Sequence, residues 1–414
     1  MSGMDRRSFL TTTAGTLAAF ALSPEALPAA VRLGASASAL PVAVIGVGRQ
    51  GRLHLAELQR LSAARIVAIC DNDSRRLSAG ARRTQDAQTY ESHTEMLEKA
   101  RDVQAVFIAT PTHTHRQIVQ DCLAAGKHVY CETPLAHTID DAAAIMRAAR
   151  NAKSLFACGL EGRTNPIYQL ARTFFRSDSV RDLIAMRGQS HQKNSWRVPS
   201  ADPARDRETN WKLDDAVSIG LPGEVGTQQF DVFSWYTDRD PVAVRGSGAV
   251  RLYDDGRTIA DTVHCDLVWE DGARLQYMAT LGNSFEGRNE IFHGSNAAIK
   301  LAWNAGWMFK EADAPTQGWE VYANRQQFHN DEGITLIADA TQLAAQGKLQ
   351  EGVGLPDPPL YYCINSFLKS VIESQPIVTT AEMGYRATVI GILSHQAVVS
   401  GHEIKIDPQV LRGS

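Results

Sequence analysis

The 414-residue sequence lacks any long apolar run, since no segment reaches the roughly 18 consecutive apolar residues of a transmembrane helix. An excess of one charge is also missing, because the net charge is −4 and the pI is about 6.3. These values argue against nucleic acid as a partner and against a stable membrane anchor. A hydrophobic fraction of 44% in a chain of this length predicts a globular protein with room for two domains.

Cysteine patterns typical of metal sites are absent too. None of the six cysteines forms a Cys-x-x-Cys pair or has a histidine at metal-ligand spacing, so we expect no structural metal. Cys70, Cys131 and Cys158 each end an apolar run, which predicts thiols buried in the core.

The N-terminus differs in kind from the rest of the chain. Residues 5–10 contain an Arg-Arg pair and precede an alanine-rich, weakly hydrophobic stretch at 14–22, with small residues at 35–39. This order is typical of a twin-arginine export signal, so we expect residues 1–39 to be removed and the protein to be periplasmic. The alternative is a basic tail with a chance Arg-Arg. Because the twin-arginine machinery carries folded proteins, a tightly held nucleotide can be bound in the cytoplasm and exported with the protein.

A glycine-rich motif follows at residues 42–53, where a β-branched apolar run leads into a turn and a helix-like segment. The turn has the Gly-x-Gly-x-x-Gly spacing of dinucleotide-binding sites. Gly46 permits the tight turn, Gly48 lets the backbone approach a pyrophosphate, and Gly51 lets the helix pack against the strand. We therefore expect a pyrophosphate at the N-terminus of this helix.

The next apolar run, residues 65–70, ends at Asp71, the spacing at which an acid binds the adenosine ribose. A carboxylate there accepts hydrogen bonds from the ribose hydroxyls and repels a 2′-phosphate, which predicts NAD as the cofactor. Arg75 and Arg76 lie close enough to leave NADP open.

Strand-like and helix-like segments alternate up to residue 160, which predicts a doubly wound parallel α/β domain over residues 40–160. Ligands bind at the carboxyl ends of such strands. The predicted cofactor-binding residues are therefore Gly46, Gly48, Arg49, Gln50, Gly51, Asp71, Thr110, Pro111, His115 and Glu132.

Residues 161–414 form the second predicted domain. Its strand-like runs lie at 183–189, 242–250, 262–269, 273–281 and 290–303, with a hairpin turn at 270–272. Its main helices are expected at 167–175, 225–235, 361–373 and 381–400.

The glycine motif, Asp71, Thr110-Pro111 with His115, and the segment 126–136 together resemble the glucose–fructose oxidoreductase, inositol dehydrogenase and MocA (Gfo/Idh/MocA) family. The resemblance covers residues 41–414. It implies an NAD(P)-binding Rossmann domain followed by an α+β domain built on a large, mostly antiparallel sheet. It also implies redox chemistry at a ring carbon of a sugar or cyclitol, and some exported relatives cleave glycosides with retained NAD through a transient keto sugar.

Two departures from the family pattern concern proton transfer. The family's usual Glu-Lys-Pro motif has Thr133 in place of its lysine. The family's second signature, an acid, a glycine, a catalytic histidine and an acid, here consists of Glu224, Gly226, Gln228 and Asp231. Threonine and glutamine cannot serve as the acid or base that lysine and histidine supply. The i, i+4 spacing predicts that Glu224 and Gln228 share one helical face.

Catalysis could therefore have moved to other groups. Lys212 and the loop residues His191 and Lys193 are candidates, although each of the latter two could equally be a solvated loop residue. Trp196 or Trp211 could stack on a sugar face. The candidate catalytic residues are Lys193, His191, Glu224, Gln228 and Thr133.

These features predict a periplasmic NAD(P)-dependent oxidoreductase acting on a sugar, glycoside or cyclitol, with a tightly bound cofactor. One alternative is a redox-neutral glycoside hydrolase, lyase or epimerase that works through a keto sugar. A second alternative is a non-catalytic protein that binds sugar and nucleotide. The expected partners are a small carbohydrate, the twin-arginine export machinery and further copies of the chain in a homo-oligomer.

Overall fold

The structure, a computed structural model, describes residues 39–84, 86–200, 202–328, 331–338, 343, 346 and 354–413. The predicted export signal lies, apart from residue 39, outside the described residues.

The first sheet has six parallel strands in the order β3-β2-β1-β4-β5-β6. The strands are β1 (Leu40–Ile45), β2 (Ala64–Cys70), β3 (Gln88–Tyr90), β4 (Ala105–Ile108), β5 (His128–Cys131) and β6 (Phe156–Cys158). The intervening helices are α1 (Arg49–Arg60), α2 (Ser74–Ala81), α3 (His93–Lys99), α4 (His115–Ala124) and α5 (Ile139–Asn151). All four residues of β4 are buried, as in a sheet covered on both faces. The predicted doubly wound α/β fold is confirmed. The structure also contains the short strand β3, which the sequence did not predict.

The second sheet has ten strands in the order β14-β15-β13-β12-β11-β7-β10-β9-β8-β16. Their bounds are β7 (Leu183–His191), β8 (Ala243–Ala249), β9 (Thr262–Val268), β10 (Arg274–Thr280), β11 (Arg288–Gly294), β12 (Ala297–Leu301), β13 (Gly306–Lys310), β14 (Arg325–Phe328), β15 (Asp331–Thr335) and β16 (Ile404–Lys405). Only β7 and β10 pair in parallel among these strands. The mostly antiparallel sheet implied by the family resemblance is confirmed.

The prediction of one strand over residues 290–303 is wrong, because the structure has two strands, β11 and β12, in that region. The chain turns after Gly294, where a Cβ atom would lie 2.3 Å from the Val180 carbonyl oxygen. The amides of Ser295 and Asn296 donate to the carbonyls of Asp182 and Val180 instead of continuing a strand. The hairpin predicted at 270–272 is confirmed, and Gly272 has a φ of +86° there.

The helices of the second part of the chain are α6 (Glu161–Thr164), α7 (Pro166–Phe175), α8 (Asp206–Thr209), α9 (Gly220–Glu224), α10 (Gly226–Thr237), α11 (Pro359–Glu373), α12 (Ala381–Ser400) and α13 (Pro408–Arg412). Helix α11 returns to the first sheet. Its residues Ile364 and Phe367 share a buried cluster with Val44, Phe107 and Tyr130. The chain thus covers one face of the parallel sheet with a late helix.

Helix α12 links the ends of the parallel strands to α9 and α10. The Thr388 hydroxyl accepts a hydrogen bond of 2.9 Å from the Leu135 amide, just beyond β5. A Cβ atom on Gly384 would lie 2.8 Å from the Cys158 sulfur, and one on Gly391 would lie 2.4 Å from the Thr227 hydroxyl. These close approaches require small residues on α12 and fix the strand ends relative to α10.

All six cysteines lie in the described part of the chain as buried free thiols, which confirms the prediction for Cys70, Cys131 and Cys158. Among the described residues, no helix combines the length and apolar character needed to cross a bilayer. Within those same residues, no group of three or more His, Cys, Asp or Glu side chains is arranged to hold a metal ion.

Candidate active site

The glycine loop after β1 uses its three glycines differently. Gly46 has a φ of +86°, and a Cβ atom there would lie 2.7 Å from the Ala109 carbonyl oxygen. A Cβ atom on Gly51 would lie only 1.7 Å from the Gly46 carbonyl oxygen. A Cβ atom on Gly48 would meet no protein atom within 4 Å. The protein's own packing therefore requires glycine at two positions and leaves open space over the third.

That open space lies at the start of α1. Gly48 is the N-cap residue, and no side chain in the described part of the chain caps the helix. Arg49, the first helical residue, is exposed. The first backbone N–H groups of a helix have no partner within the helix, and together with the helix dipole they favour an anion. The geometry thus fits the pyrophosphate of a dinucleotide.

Asp71 follows β2 beside this loop. One carboxylate oxygen accepts a hydrogen bond of 2.9 Å from the Val47 amide, and the other accepts one of 2.9 Å from the Asp73 amide. The side chain is buried, and burial raises its pKa while these two hydrogen bonds oppose the rise. Its remaining lone pairs can accept hydrogen bonds from ribose hydroxyls.

A segment of the second part of the chain, residues 202–208, contacts the turn after Asp71; we call it the strap. Arg205 Nη1 lies 3.3 Å from an Asp73 carboxylate oxygen. Asn72 Nδ2 donates a hydrogen bond of 2.8 Å to Glu208 on the strap. The strap therefore packs beside the predicted adenosine end of the cofactor site.

His115, predicted at the cofactor, is buried and joins two loops. Its Nδ1 lies 3.1 Å from the Pro134 carbonyl oxygen, and its Nε2 lies 3.0 Å from the Thr110 carbonyl oxygen. Burial lowers the pKa of the imidazole. His115 thus fixes the segment containing Thr110 and Pro111, after β4, against the segment after β5.

Glu132, directly after β5, binds two side chains of α1. Its Oε1 accepts hydrogen bonds from Gln50 Nε2 at 3.0 Å and from His54 Nε2 at 2.5 Å. Two predicted cofactor residues, Gln50 and Glu132, are thus brought into contact. The sequence did not single out His54, although its position four residues after Gln50 puts both on one face of the helix.

Thr133 and Gln228, at the family's lysine and histidine positions, converge on one backbone atom. The Thr133 hydroxyl donates a hydrogen bond of 3.1 Å to the Gly159 carbonyl oxygen. The Gln228 Nε2 donates to the same oxygen, and its Oε1 accepts from the Glu161 amide at 3.2 Å. Both side chains therefore hold the segment that follows β6.

The prediction that Glu224 and Gln228 share one helical face is wrong. Helix α9 ends at Glu224, and Val225 leaves helical geometry with φ of −124° before α10 begins. The Glu224 carboxylate instead lies 3.3 Å from the Thr112 hydroxyl and 3.8 Å from Lys212 Nζ. Its other oxygen has no partner among the described residues. Burial raises the pKa of Glu224, and Lys212 opposes that rise.

Lys212 lies between two indole rings beside this carboxylate. Its Nζ is 5.0 Å from the ring centre of Trp196 and 5.4 Å from that of Trp211. The Trp211 ring in turn packs on His113, directly after Thr112. A cation, an acid and aromatic rings therefore meet at the segment after β4.

The comparisons with known proteins match this geometry. Residues 40–160 match the profile of the Gfo/Idh/MocA family, an oxidoreductase family with an NAD-binding Rossmann fold. Residues 40–160 therefore resemble the NAD-binding domain of that family. The chain is also similar to the myo-inositol 2-dehydrogenase of Thermotoga maritima, with 22% identity over 369 residues that cover 88% of this chain and 98% of the relative.

A second relative is glycosyl hydrolase family 109 protein 2 of a Shewanella species. It is 35% identical over 164 residues, which cover 34% of this chain and 36% of the relative. A solved levoglucosan dehydrogenase, in complex with NADH and levoglucosan, has the same fold. It has a TM-score of 0.70 at 18% identity and covers 89% of this chain and 99% of that chain.

His191 and Lys193 do not join the cluster around Lys212 and Glu224. Glu290, which faces α10, pairs with Gly188, so His191 lies on the opposite face of the ten-stranded sheet. There it lines a hollow of about 590 Å3, and its Nδ1 is 3.1 Å from the Phe285 carbonyl oxygen. The Lys193 side chain is exposed.

Asp231, the last acid of the second family signature, is committed to a buried ion pair. Its two carboxylate oxygens accept hydrogen bonds of 2.8 Å each from Nε and Nη2 of Arg163. The pair joins α10 to α6. It leaves the site without a free acid at this position.

Glu161, which the sequence did not single out, lies within the cluster. It begins α6 and is half-buried. Burial and the neighbouring Glu132 carboxylate raise its pKa to about 8, while Arg288 and a hydrogen bond from Trp303 oppose the rise. Its only signal in the sequence is its position three residues after the end of β6.

Proposed function

We propose that this protein is an NAD-dependent oxidoreductase that acts on a sugar, a glycoside or a cyclitol. The observation that carries the proposal is the open space over Gly48 at the uncapped start of α1. The similarity to a myo-inositol 2-dehydrogenase and to an enzyme solved with NADH and levoglucosan favours a polyhydroxylated ring as the substrate.

The residues present fit the dinucleotide. The N–H groups at Gly48 and Arg49 would hold the pyrophosphate, and Asp71 would accept the ribose hydroxyls and repel a 2′-phosphate. When bound, the oxidised nicotinamide accepts the hydride of a carbinol C–H. The winding direction of the sheet reverses between β1 and β4, which is the usual ligand position in such sheets and supports the proposed site.

The group around Lys212 supplies the contacts that a sugar needs. The Lys212 ammonium donates hydrogen bonds to hydroxyl groups, and the unpartnered oxygen of Glu224 accepts them. Trp196 and Trp211 offer apolar ring faces to the C–H faces of a sugar. Because these residues adjoin Thr112, a bound sugar would lie at the carboxyl end of β4.

Export through the twin-arginine pathway with the cofactor in place is part of this proposal. It rests on the sequence of residues 5–22 and on the strap beside Asp71. A periplasmic enzyme has no obvious pool of free NAD, so a cofactor recycled within one catalytic cycle fits this location.

A redox-neutral reaction on a glycoside is the second candidate. One observation favours it: neither Thr133 nor Gln228 can transfer a proton, so the ordinary dehydrogenase residues are missing. The glycosyl hydrolase relative from Shewanella also supports it. Such a reaction would oxidise the sugar, cleave or rearrange it, and reduce it again.

The test uses the purified full chain with NAD⁺ and a panel of cyclitols, aldoses and aryl glycosides, with reactions lacking substrate as the control. NADH that accumulates with one class of substrate supports the oxidoreductase. Released aglycone without NADH supports the redox-neutral reaction. A protein that binds no NADH and converts no substrate would overturn both proposals.

A further inference from the structure

The carboxylate of Glu161 lies at the same edge as the cofactor-binding residues. β6 is the neighbour of β5, so the segment after β6 lies beside Glu132 and Thr133. Helix α6 starts at Glu161, which keeps its side chain at the carboxyl ends of the parallel strands. Glu161 is half-buried, so it is not wholly enclosed in the core.

The two residues at the family's proton-transfer positions hold the Glu161 segment in place. Gln228 bonds it twice, through the Gly159 carbonyl and through the Glu161 amide. Thr133 bonds the same carbonyl from the side of β5. A Cβ atom on Gly159 would lie 2.7 Å from Glu132 Oε2, so the segment approaches Glu132 as closely as glycine allows. The substituted residues thus position a nearby carboxyl group.

A second element supports Glu161 from the other domain. The Trp303 indole lies beside the Glu161 carboxyl group and favours its charged form. Trp303 has a φ of +61°, a costly conformation for a bulky residue, and it is held there by Asn165 and Tyr168. Strained residues of this kind cluster at functional sites. The Arg288 guanidinium lies 3.4 Å from the centre of the Trp303 ring.

The surroundings of Glu161 have opposing effects on the pKa of its carboxyl group. Burial and Glu132 favour the neutral acid, whereas Arg288 and Trp303 favour the carboxylate. The other titratable neighbours are Tyr130 and Cys363. Burial raises the pKa of Cys363 to about 12 and that of Tyr130 well above its ordinary value, so both stay neutral.

We propose that Glu161 is the catalytic residue that exchanges a proton with the reacting hydroxyl of the substrate, an inference that rests on the proposed function. In the oxidation, the hydroxyl O–H bond breaks and its proton passes to a Glu161 carboxylate oxygen. The electron pair of that bond becomes the second bond of the ketone as the carbinol C–H hydride passes to NAD⁺. The alcohol is oxidised, and NAD⁺ is reduced to NADH.

The test compares wild type with Glu161→Gln and with the conservative variant Glu161→Asp. Glu98→Gln, at an exposed glutamate on α3, is the matched control. NADH binding is followed by fluorescence, and hydride transfer is followed in a single turnover with the substrate found for the wild type. We expect E161Q to bind NADH within about twofold of wild type and to lose hydride transfer by about 100-fold or more. E161D should retain an intermediate rate.

Two pH measurements separate a catalytic role from a structural one. The wild-type oxidation rate should rise with pH toward a plateau above about 8, and the E161Q rate should lack this rise. The second measurement is the stability of each protein against urea as a function of pH, which does not require catalytic activity. The unfolded chain loses this proton near pH 4.5 and the folded chain only near pH 8, so wild type should lose stability relative to E161Q as the pH rises from about 4.5 to about 8.

Hydride transfer by E161Q at the wild-type rate, or an unchanged pH profile, would overturn the assignment of Glu161 and leave the proposed function intact. Failure of the proposed function has a different signature, since wild type itself would then bind no NADH, and that result would overturn both. If E161Q fails to fold, an intermediate rate in folded E161D with a shifted pH profile would support the assignment, and a wild-type rate with an unchanged pH profile would overturn it.

Discussion

At the scale of single residues, the glycines of the cofactor loop show how packing and binding can be separated. Gly46 and Gly51 are required because their neighbours occupy the space of a Cβ atom. Gly48 has no such neighbour within 4 Å. Its lack of a side chain therefore serves a molecule that the protein binds and not the fold itself.

Gly48→Ala should consequently weaken NADH binding by about tenfold or more, about 1.4 kcal/mol, with little change in stability. The φ of −66° at Gly48 is accessible to alanine. Fluorescence titration and urea unfolding measure the two effects. Gly51→Ala is the contrasting variant, and it should lose about 3 kcal/mol of stability because its Cβ would overlap the Gly46 oxygen. Unchanged NADH affinity in G48A would contradict this account of the loop.

Asp231, the last acid of the second family signature, has a structural role in its ion pair with Arg163. Both side chains are buried, and two hydrogen bonds of 2.8 Å join them. Breaking a buried pair leaves one charge without a partner, which costs more than losing both charges.

Arg163→Ala should therefore destabilise the protein by about 3–5 kcal/mol in urea unfolding. The double variant R163M/D231L, which removes both charges and keeps apolar volume, should recover much of that loss. If R163A and the double variant were equally unstable, the uncompensated charge would not be the cause.

At the scale of elements, the strap is the feature that links the second part of the chain to the cofactor site. Its contacts run from Arg205 to Asp73 and from Glu208 to Asn72, both directly after Asp71. We expect an element in this position to slow the departure of a bound nucleotide. The strap therefore bears on how long NAD stays bound.

Arg205→Ala should speed NADH dissociation by about threefold, as expected for the loss of a partly exposed ion pair worth about 0.5–1 kcal/mol. Stopped-flow displacement of NADH measures this rate. Arg207→Ala is the control, because Arg207 pairs with Asp214 of the same loop and not with the turn after Asp71. Equal dissociation rates for wild type and R205A would exclude the strap from cofactor retention.

The sequence predicted the elements that have a local pattern of apolar or capping residues. It missed the features that depend on contacts with residues distant in sequence. The side-chain-capped helices α7 and α12, expected at 167–175 and 381–400, were predicted almost to the residue. The break between α9 and α10 was missed, because Val225 is an ordinary residue whose conformation depends on packing. Glu161 was missed because its environment depends on Trp303 and Arg288, which are distant in sequence.

At the scale of the whole molecule, export and cofactor binding must be compatible. Replacing both Arg6 and Arg7 by lysine should keep the protein in the cytoplasm, because the export signal is recognised through the arginine pair. Cell fractionation and immunodetection measure its location. Arg32→Lys, in the same segment, should still be exported. Periplasmic protein from the double-lysine variant would contradict a twin-arginine signal.

The most direct test of the whole account is to denature the purified wild-type protein and identify any released nucleotide by mass spectrometry. We expect about one NAD or NADH per chain, held through Gly48 and Asp71 and carried through export. Release of NADP would contradict the role given to Asp71. A protein that releases no nucleotide and fails to bind added NAD would contradict the proposed oxidoreductase itself.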